Sequence, residues 1–99
     1  METIKHIPPI TSVEHSVWLY YAKNELGNAE IRGLFGDRAD ATICRLKELA
    51  REVQRERDVK TWQTYTVNTE CAYEAWGLDV EDLEKRAKKL QKLMKREVG

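Results

Sequence analysis

Three sets of side chains in this 99-residue sequence could take part in chemistry. They are the neighbours Glu14 and His15, the cysteines Cys44 and Cys71, and a group of cationic and short polar residues at 38–51. Glu14 and His15 are not expected to act as an acid–base pair, because adjacent helix residues point to different sides. No glycine-rich phosphate loop, G-x-S-x-G or H-E-x-x-H motif is present. The carboxylates alternate with bases as on a solvated helix face, so we expect no catalytic residue and no enzyme.

The cysteines and histidines do not have the spacing of a metal site. A structural zinc ion needs roughly four Cys or His ligands at close spacing, whereas Cys44, Cys71, His6 and His15 are scattered along the chain. Two cysteines also do not make a disulfide framework in a chain of this size. The sequence therefore predicts no metal, no cofactor and no small-molecule ligand, with two reduced thiols in a cytoplasmic protein.

Composition favours a single soluble helical domain covering residues 1–99. The chain has 17 basic and 17 acidic residues, with 41% apolar and 34% charged residues, a high charge content with both signs mixed. No apolar stretch approaches the roughly 18 residues of a membrane span, and the N-terminus lacks the pattern of a secretory signal. The net charge is zero and no segment is strongly basic. A nucleic-acid function must therefore rest on the local arrangement of charges.

Capping residues and apolar periodicity predict a mainly α-helical fold of about five helices. Residues 1–10 are expected to form an extended arm, because two consecutive prolines near its end restrict the backbone. The first helix should run from about 12 to 26. A capping box that begins at Thr11 would open it, and Gly27 would end it.

The second and third helices are expected to follow without a long linker. Asn28 is a suitable N-cap for a helix of barely two turns at 29–35. Asp37 or Asp40 can cap the third helix, which begins between 38 and 40 and ends at Arg57. Its apolar residues repeat with the helical period and its other face is charged throughout.

The segment 61–67, T-W-Q-T-Y-T-V, breaks the helical period. Its β-branched and aromatic residues are typical of a short strand or an extended turn, and the N-terminal arm is the partner expected for such a strand. Core packing is the expected role of most aromatic side chains in the chain. Trp62 and Tyr65 are the two expected to be most exposed.

Residues 68–96 are expected to form a C-terminal pair of helices. Asn68 or Thr69 would cap the first of them, at 70–76, and the second would cover 80–96. The second helix carries an apolar seam with heptad spacing, which is typical of helix pairing between chains. The residues of this predicted dimer seam are Val80, Leu83, Ala87, Leu90 and Met94.

The block N-A-E-I-R-G-L-F-G-D-R-A-D-A-T-I-C-R, which begins at Asn28, resembles the helix-turn-helix of prokaryotic and phage DNA-binding proteins. Ile31 stands at the family's inward aliphatic position, Leu34 and Phe35 form its apolar pair, and Gly36 lies in its turn. The final T-I-C-R stands where the family often has Thr-Val-Ser-Arg. The resemblance implies a helix-turn-helix unit at 28–57, at the centre of the domain.

The block differs from the family pattern in two places, and a second, weaker copy follows it. Arg32 stands where the family prefers a small residue, although Gly33 comes next, and the turn is one residue longer than usual. The first part of the second copy is the segment 71–77. It continues as D-V-E-D-L-E, whose acids would repel phosphate. This favours a structural repeat that contacts protein over the alternative, a second DNA-reading unit.

The resemblance implies which side chains would contact DNA. The second helix of such a motif enters the major groove with its N-terminal residues near the base edges. Lys47 and Arg51, further along the helix, are placed for phosphate contacts. The full set of candidate DNA-contact residues is Arg38, Asp40, Ala41, Thr42, Arg45, Lys47 and Arg51.

The types of the remaining candidates suit distinct contacts. Arg38 and Arg45 are long enough to reach a guanine edge or a phosphate. Ala41 and Thr42 are short, so they would let the helix approach and touch a thymine methyl group. Asp40 would either accept a hydrogen bond from a cytosine amine or simply cap the helix.

The expected function is sequence-specific binding of double-stranded DNA by a small transcriptional regulator of bacterial, phage or mobile-element origin. A homodimer is expected, because two copies double the base contacts across a pair of half-sites. Two alternatives remain: a protein–protein interaction module that uses the C-terminal heptad helix, and a DNA-packaging or recombination accessory factor. The neutral net charge favours the protein–protein module, whereas the local arginine and threonine pattern favours DNA.

Overall fold

The computed structural model describes residues 7–98, and this part of the chain is mainly α-helical, as predicted. Its helices are α1 (Val13–Ala22), α2 (Asn28–Phe35), α3 (Asp40–Arg57), α4 (Thr69–Ala75) and α5 (Val80–Val98). Its strands are β1 (Glu25–Leu26) and β2 (Val67–Asn68), which pair in one antiparallel sheet. His6 and most of the predicted arm lie outside the described residues. Within residues 7–98, no helix is both long and apolar enough to cross a membrane.

The predicted cap of the first helix is wrong by one residue. The Ser12 hydroxyl caps α1 by accepting a hydrogen bond from the His15 N–H at 3.1 Å. Thr11 instead donates through its N–H to the Leu34 carbonyl at 2.7 Å, and its hydroxyl lies 3.0 Å from the Gly33 carbonyl. Thr11 thus satisfies carbonyls near the C-terminal end of α2 that have no partner within the helix, and it ties the arm to that helix.

The first helix also ends earlier than predicted, at Ala22 instead of Leu26. The chain leaves the helix because Thr69 hydrogen-bonds to two backbone carbonyls, those of Lys23 at 2.7 Å and Asn24 at 2.9 Å. Leu26 then pairs with Val67 in the sheet, and both side chains are fully buried. The extended segment expected near 61–67 therefore contributes its last residue to a strand, and its partner is β1.

The caps of α2 and α3 differ from the predicted ones. Gly27, and not Asn28, precedes the first turn of α2, and its N–H donates to Glu30 Oε1 at 2.8 Å. Ala39 precedes α3, and neither Asp37 nor Asp40 caps it through a side chain. Both aspartates instead form ion pairs with Arg32 on α2, so ion pairing replaces capping at this turn.

The residues at the two ends of α4 are closer to the prediction than the caps of α2 and α3 are. The Asn68 side chain accepts a hydrogen bond from the Cys71 N–H at 2.9 Å and caps α4. Thr69, the other predicted cap, is the first residue of that helix and is buried. Gly77 lies after the helix with a positive φ of 72°, a backbone conformation that glycine adopts without strain.

A single core joins α2 and α3 to the C-terminal helices. The buried face of α3 includes Ile43, Leu46 and Ala50 and packs mainly on α4. Trp76, next to α4, donates its indole N–H to the Leu46 carbonyl at 2.9 Å, and the Tyr73 hydroxyl donates to the Ser16 carbonyl at 2.7 Å. These buried bonds hold α1, α3 and α4 in one arrangement, and that arrangement decides which face of α3 stays in solvent.

Candidate nucleic-acid interface

The turn between α2 and α3 sets the direction in which α3 leaves the core. Gly36 has φ 90°, a conformation that disfavours any residue with a Cβ atom. Leu34 and Phe35 are fully buried just before it, and Ile43 is buried on the first turn of α3. The apolar residues on both sides of the turn are therefore fixed in the core, which leaves the outer side of α3 free to contact another molecule.

The predicted contact residues of α3 divide among three sides of the helix. At about 100° per residue, Ala41 and Arg45 lie opposite the buried face, and both are exposed. Lys47 and Arg51 lie on the edge next to α2, where the Lys47 ammonium contacts Asn28 Oδ1 at 3.1 Å. Thr42 is half-buried on the other edge, about 140° around the helix from Lys47. The structure thus brings Ala41 and Arg45 together but separates Thr42 from the two phosphate candidates.

Arg38 and Asp40 already have partners within the protein. The Arg38 Nε–H donates to the Phe35 carbonyl at 2.9 Å, and this bond uses one of the five guanidinium N–H donors. Asp40 forms an exposed ion pair with Arg32, with 2.5 Å between Oδ1 and Nη2. Exposed pairs contribute about 1 kcal/mol or less, so a ligand can displace this one at little cost. In the free protein, however, Asp40 faces α2 as part of the turn.

The edge of α3 next to α2 carries two neighbouring positive charges, those of Lys47 and Arg51. Partial burial, together with the nearby Arg51 guanidinium, lowers the pKa of Lys47 below its ordinary value. Like charges four residues apart on a helix destabilise it by a few tenths of a kcal/mol. Arg51 forms an ion pair with Glu48, with 3.3 Å between Nη1 and Oε2. A bound anion would relieve the repulsion between the two cations.

The outer face of α3 changes sign along its length. Arg45 lies on this face near the N-terminal end, whereas Glu48, Glu52 and Glu56 lie on it further along, and all four side chains are exposed. These acids repeat every four residues, so they form one stripe on that face. DNA could therefore approach the outer face closely only over the first turns of α3.

Two further cations lie beyond the predicted set. Arg55 follows Arg51 by four residues on the same edge of α3, and Lys60 lies in the loop that follows the helix. Arg51, Arg55 and Lys60 together border a groove between α3 and this loop. The four-residue spacing of Arg51 and Arg55 is visible in the sequence, but the position of Lys60 depends on how the loop folds back.

The predicted dimer seam on α5 is partly used inside the chain. Leu83 is 6% exposed and belongs to the core, and Val80 and Ala87 are half-buried, because α1 packs against the first half of α5. Leu83 therefore packs in the core of its own chain, and pairing of these three residues with a second chain stays a prediction. Leu90 and Met94 remain exposed, at 40% and 52%.

The exposed aromatic side chains are more numerous than predicted. Trp62 is 96% exposed and Tyr65 is also exposed, as expected. Trp18 and Tyr21 are exposed as well, although a core position was expected for both. The Tyr21 hydroxyl donates to Glu84 Oε2 at 3.0 Å, so this side chain lies across the surface between α1 and α5 and does not enter the core.

The comparisons with known proteins do not connect this arrangement to a family. No protein-family model matches the chain, and neither a curated protein nor a solved structure matches it. The function is therefore inferred from the residues and geometry of this chain and from the sequence resemblance to the helix-turn-helix.

Proposed function

We propose that the protein binds double-stranded DNA sequence-specifically, as a small transcriptional regulator of bacterial or phage type. The observation that carries this proposal is the exposed start of α3, where the short Ala41 and the long Arg45 share the outer face. A short residue beside a long cation lets a helix approach the base edges while the cation reaches them. The tightly fixed turn before α3 supports the same role, because it presents this helix in one orientation.

Each candidate has a separate part in the proposed contact. Arg45 donates two parallel hydrogen bonds to the O6 and N7 atoms of a guanine. Lys47 and Arg51 contact the phosphates beside the groove, which positions α3 without reading the sequence. Thr42 contacts the other wall of the groove, since it lies on the opposite edge of the helix. Arg38, just before α3, donates its remaining guanidinium N–H groups to a guanine edge or a phosphate.

Modification of Cys44 is expected to weaken DNA binding by roughly tenfold or more, because the added group would displace at least one base contact. Cys44 is exposed on α3, one residue before Arg45, whereas Cys71 is buried. Burial also raises the pKa of the Cys71 thiol, so less of the reactive thiolate forms there. A bulky maleimide and a DNA-binding titration by fluorescence anisotropy test this expectation.

The matched control for this experiment is the Cys44→Ser variant, treated with the same maleimide. It should keep its DNA affinity, because the buried thiol reacts slowly in the folded protein. Unchanged affinity of the wild-type protein after complete labelling at Cys44 would show that this side of α3 does not enter the groove.

We also propose that the protein acts as a homodimer through the C-terminal half of α5. At about 1.5 Å per residue, α5 is roughly 28 Å long and α1 roughly 15 Å, so α1 covers only part of it. The overhanging part exposes Leu90, Leu93 and Met94. Its flanks are basic, whereas the first turns of α5 carry the acids Glu81 and Asp82. A second copy placed antiparallel sets the basic half of each α5 beside the acidic half of the other.

Replacing Leu90 by glutamate is expected to weaken the dimer by roughly 30-fold, because each of two symmetry-related leucines contributes about 1 kcal/mol of apolar burial. The variant should remain folded, since Leu90 is outside the core. Sedimentation equilibrium gives the masses, and Lys85→Glu, which changes charge on the opposite side of α5, is the control. Wild-type protein with the mass of one chain at high concentration would contradict the dimer.

A further inference from the structure

A line of positive charge continues along α3 far beyond the residues proposed to read bases. Lys47, Arg51 and Arg55 are spaced by four residues, so they follow one edge of the helix. The edge spans about 12 Å from Lys47 to Arg55, at about 1.5 Å per residue. Lys60, in the loop after α3, lies beyond Arg55 and borders the same groove.

Among the residues that the structure describes, no carboxylate lines the groove at the end of this line. Its volume is about 320 Å³, and three cations and several threonines line it. The lining residues are Arg51, Gln54, Arg55, Val59, Lys60, Thr61, Thr64 and Thr66. Glu25, on β1, is directed to the loop after α3, where it accepts hydrogen bonds from the Trp62 N–H and the Thr66 hydroxyl.

The loop that carries Lys60 is held in place by these bonds to Glu25. Burial alone would raise the pKa of the Glu25 carboxyl, but the hydrogen bonds from Trp62, Thr66 and Gln63 outweigh it and lower the pKa. The Thr61 hydroxyl donates to the Gln63 carbonyl at 2.7 Å, and the Gln54 side chain accepts from the Asn68 N–H at 2.7 Å. These bonds fix both walls of the groove, so its charge does not depend on a ligand to assemble it.

We infer that the groove lined by Arg51, Arg55 and Lys60 binds the phosphate backbone of the same DNA duplex, as a second contact beside the base-reading end of α3. This inference rests on the proposed function. A span of about 12 Å corresponds to three or four nucleotides of one strand, at about 3.4 Å each. The threonine hydroxyls at 61 and 66 already donate within the loop, so the cations supply the attraction, which is independent of base sequence.

The test is the salt dependence of DNA binding by an Arg55→Gln/Lys60→Gln double variant. Each lost phosphate contact lowers the slope of log affinity against log salt by about 0.9, so the double variant should have a slope smaller by about 1.8 for each bound protomer. A fourfold rise in salt, from about 50 to 200 mM, should then weaken the variant about 12-fold less than the wild type for each bound protomer. Fluorescence anisotropy with a duplex of fixed sequence measures both slopes.

The control is Lys85→Gln/Lys92→Gln, which removes two exposed lysines on the side of α5 away from its apolar seam. It has the same change in net charge and should keep the wild-type slope. A double variant at 55 and 60 with an unchanged slope would overturn the groove contact, even if replacing Arg45 still weakens binding. An equal decrease of the slope in the control and in the double variant would mean that the effect comes from net charge. That result would also overturn the groove contact. Absence of DNA binding by the wild-type protein would remove the proposed function and this inference together.

Discussion

Replacing Trp76 by alanine is expected to lower the free energy of unfolding by about 3–5 kcal/mol, the usual cost of removing a buried tryptophan. Trp76 is 3% exposed, and its ring lies edge-to-face against Phe35 with 5.2 Å between the ring centroids. Its indole N–H also donates to the Leu46 carbonyl. One side chain therefore contacts α2, α3 and the end of α4. Urea unfolding followed by circular dichroism measures the loss.

The same chain offers a matched control in Trp62, which is 96% exposed. Trp62→Ala should change the stability by no more than about 0.5 kcal/mol, since the contact of Trp62 with Glu25 uses its backbone N–H. A domain of this size has only about 5–15 kcal/mol of stability. Trp76→Phe, which loses the hydrogen bond but keeps a ring beside Phe35, is the milder variant, with an expected cost of about 1–2 kcal/mol. Equal stabilities of Trp76→Ala and Trp62→Ala would contradict the packing described here.

Replacing Arg45 by alanine is expected to weaken binding to the preferred DNA sequence by about 1–3 kcal/mol, or roughly 5- to 150-fold. The expected loss comes from two hydrogen bonds to one guanine, so affinity for unrelated duplexes should change much less. The side chain is exposed on α3, and the variant should therefore fold normally. Titrations with the preferred sequence and with a scrambled duplex separate the two effects.

Arg86→Ala is a suitable control for Arg45, because Arg86 is also an exposed helical arginine and forms a pair with Asp82 on α5. It should leave both affinities close to the wild-type values. Equal affinities of Arg45→Ala and wild type for the preferred sequence would mean that the outer face of α3 does not read bases.

The parts of the fold that could be predicted from sequence are those with local signals. The apolar spacing of Ile31, Leu34 and Phe35, followed by a glycine, predicts α2 and the turn. The 3.6-residue period predicts α3 up to its last residue, Arg57. The local pattern predicts a helix at Leu26, because the residue that pairs with it in the sheet, Val67, is 41 positions away in sequence. A two-residue strand has no periodicity of its own, so only the tertiary contact distinguishes it from a helix end.

The candidate site could be predicted in its composition but only partly in its geometry. The sequence indicated which cations lie on α3, because helical spacing determines the side of the helix on which each residue lies. It did not indicate that Arg32 holds Asp40 across the turn, since that contact depends on the angle between two helices. The sequence also did not indicate that Lys60 lies beside Arg55. The loop that carries Lys60 back to α3 has no periodicity from which its path could be predicted.

The most direct test of sequence-specific DNA binding is selection from a randomised duplex library by the wild-type protein at about 100 mM salt, followed by sequencing of the retained DNA. We expect enrichment of a short motif containing at least one invariant guanine, and loss of the preference for that guanine in the Arg45→Ala variant. Retention without any enriched motif, or no retention even at about 50 mM salt, would contradict sequence-specific binding.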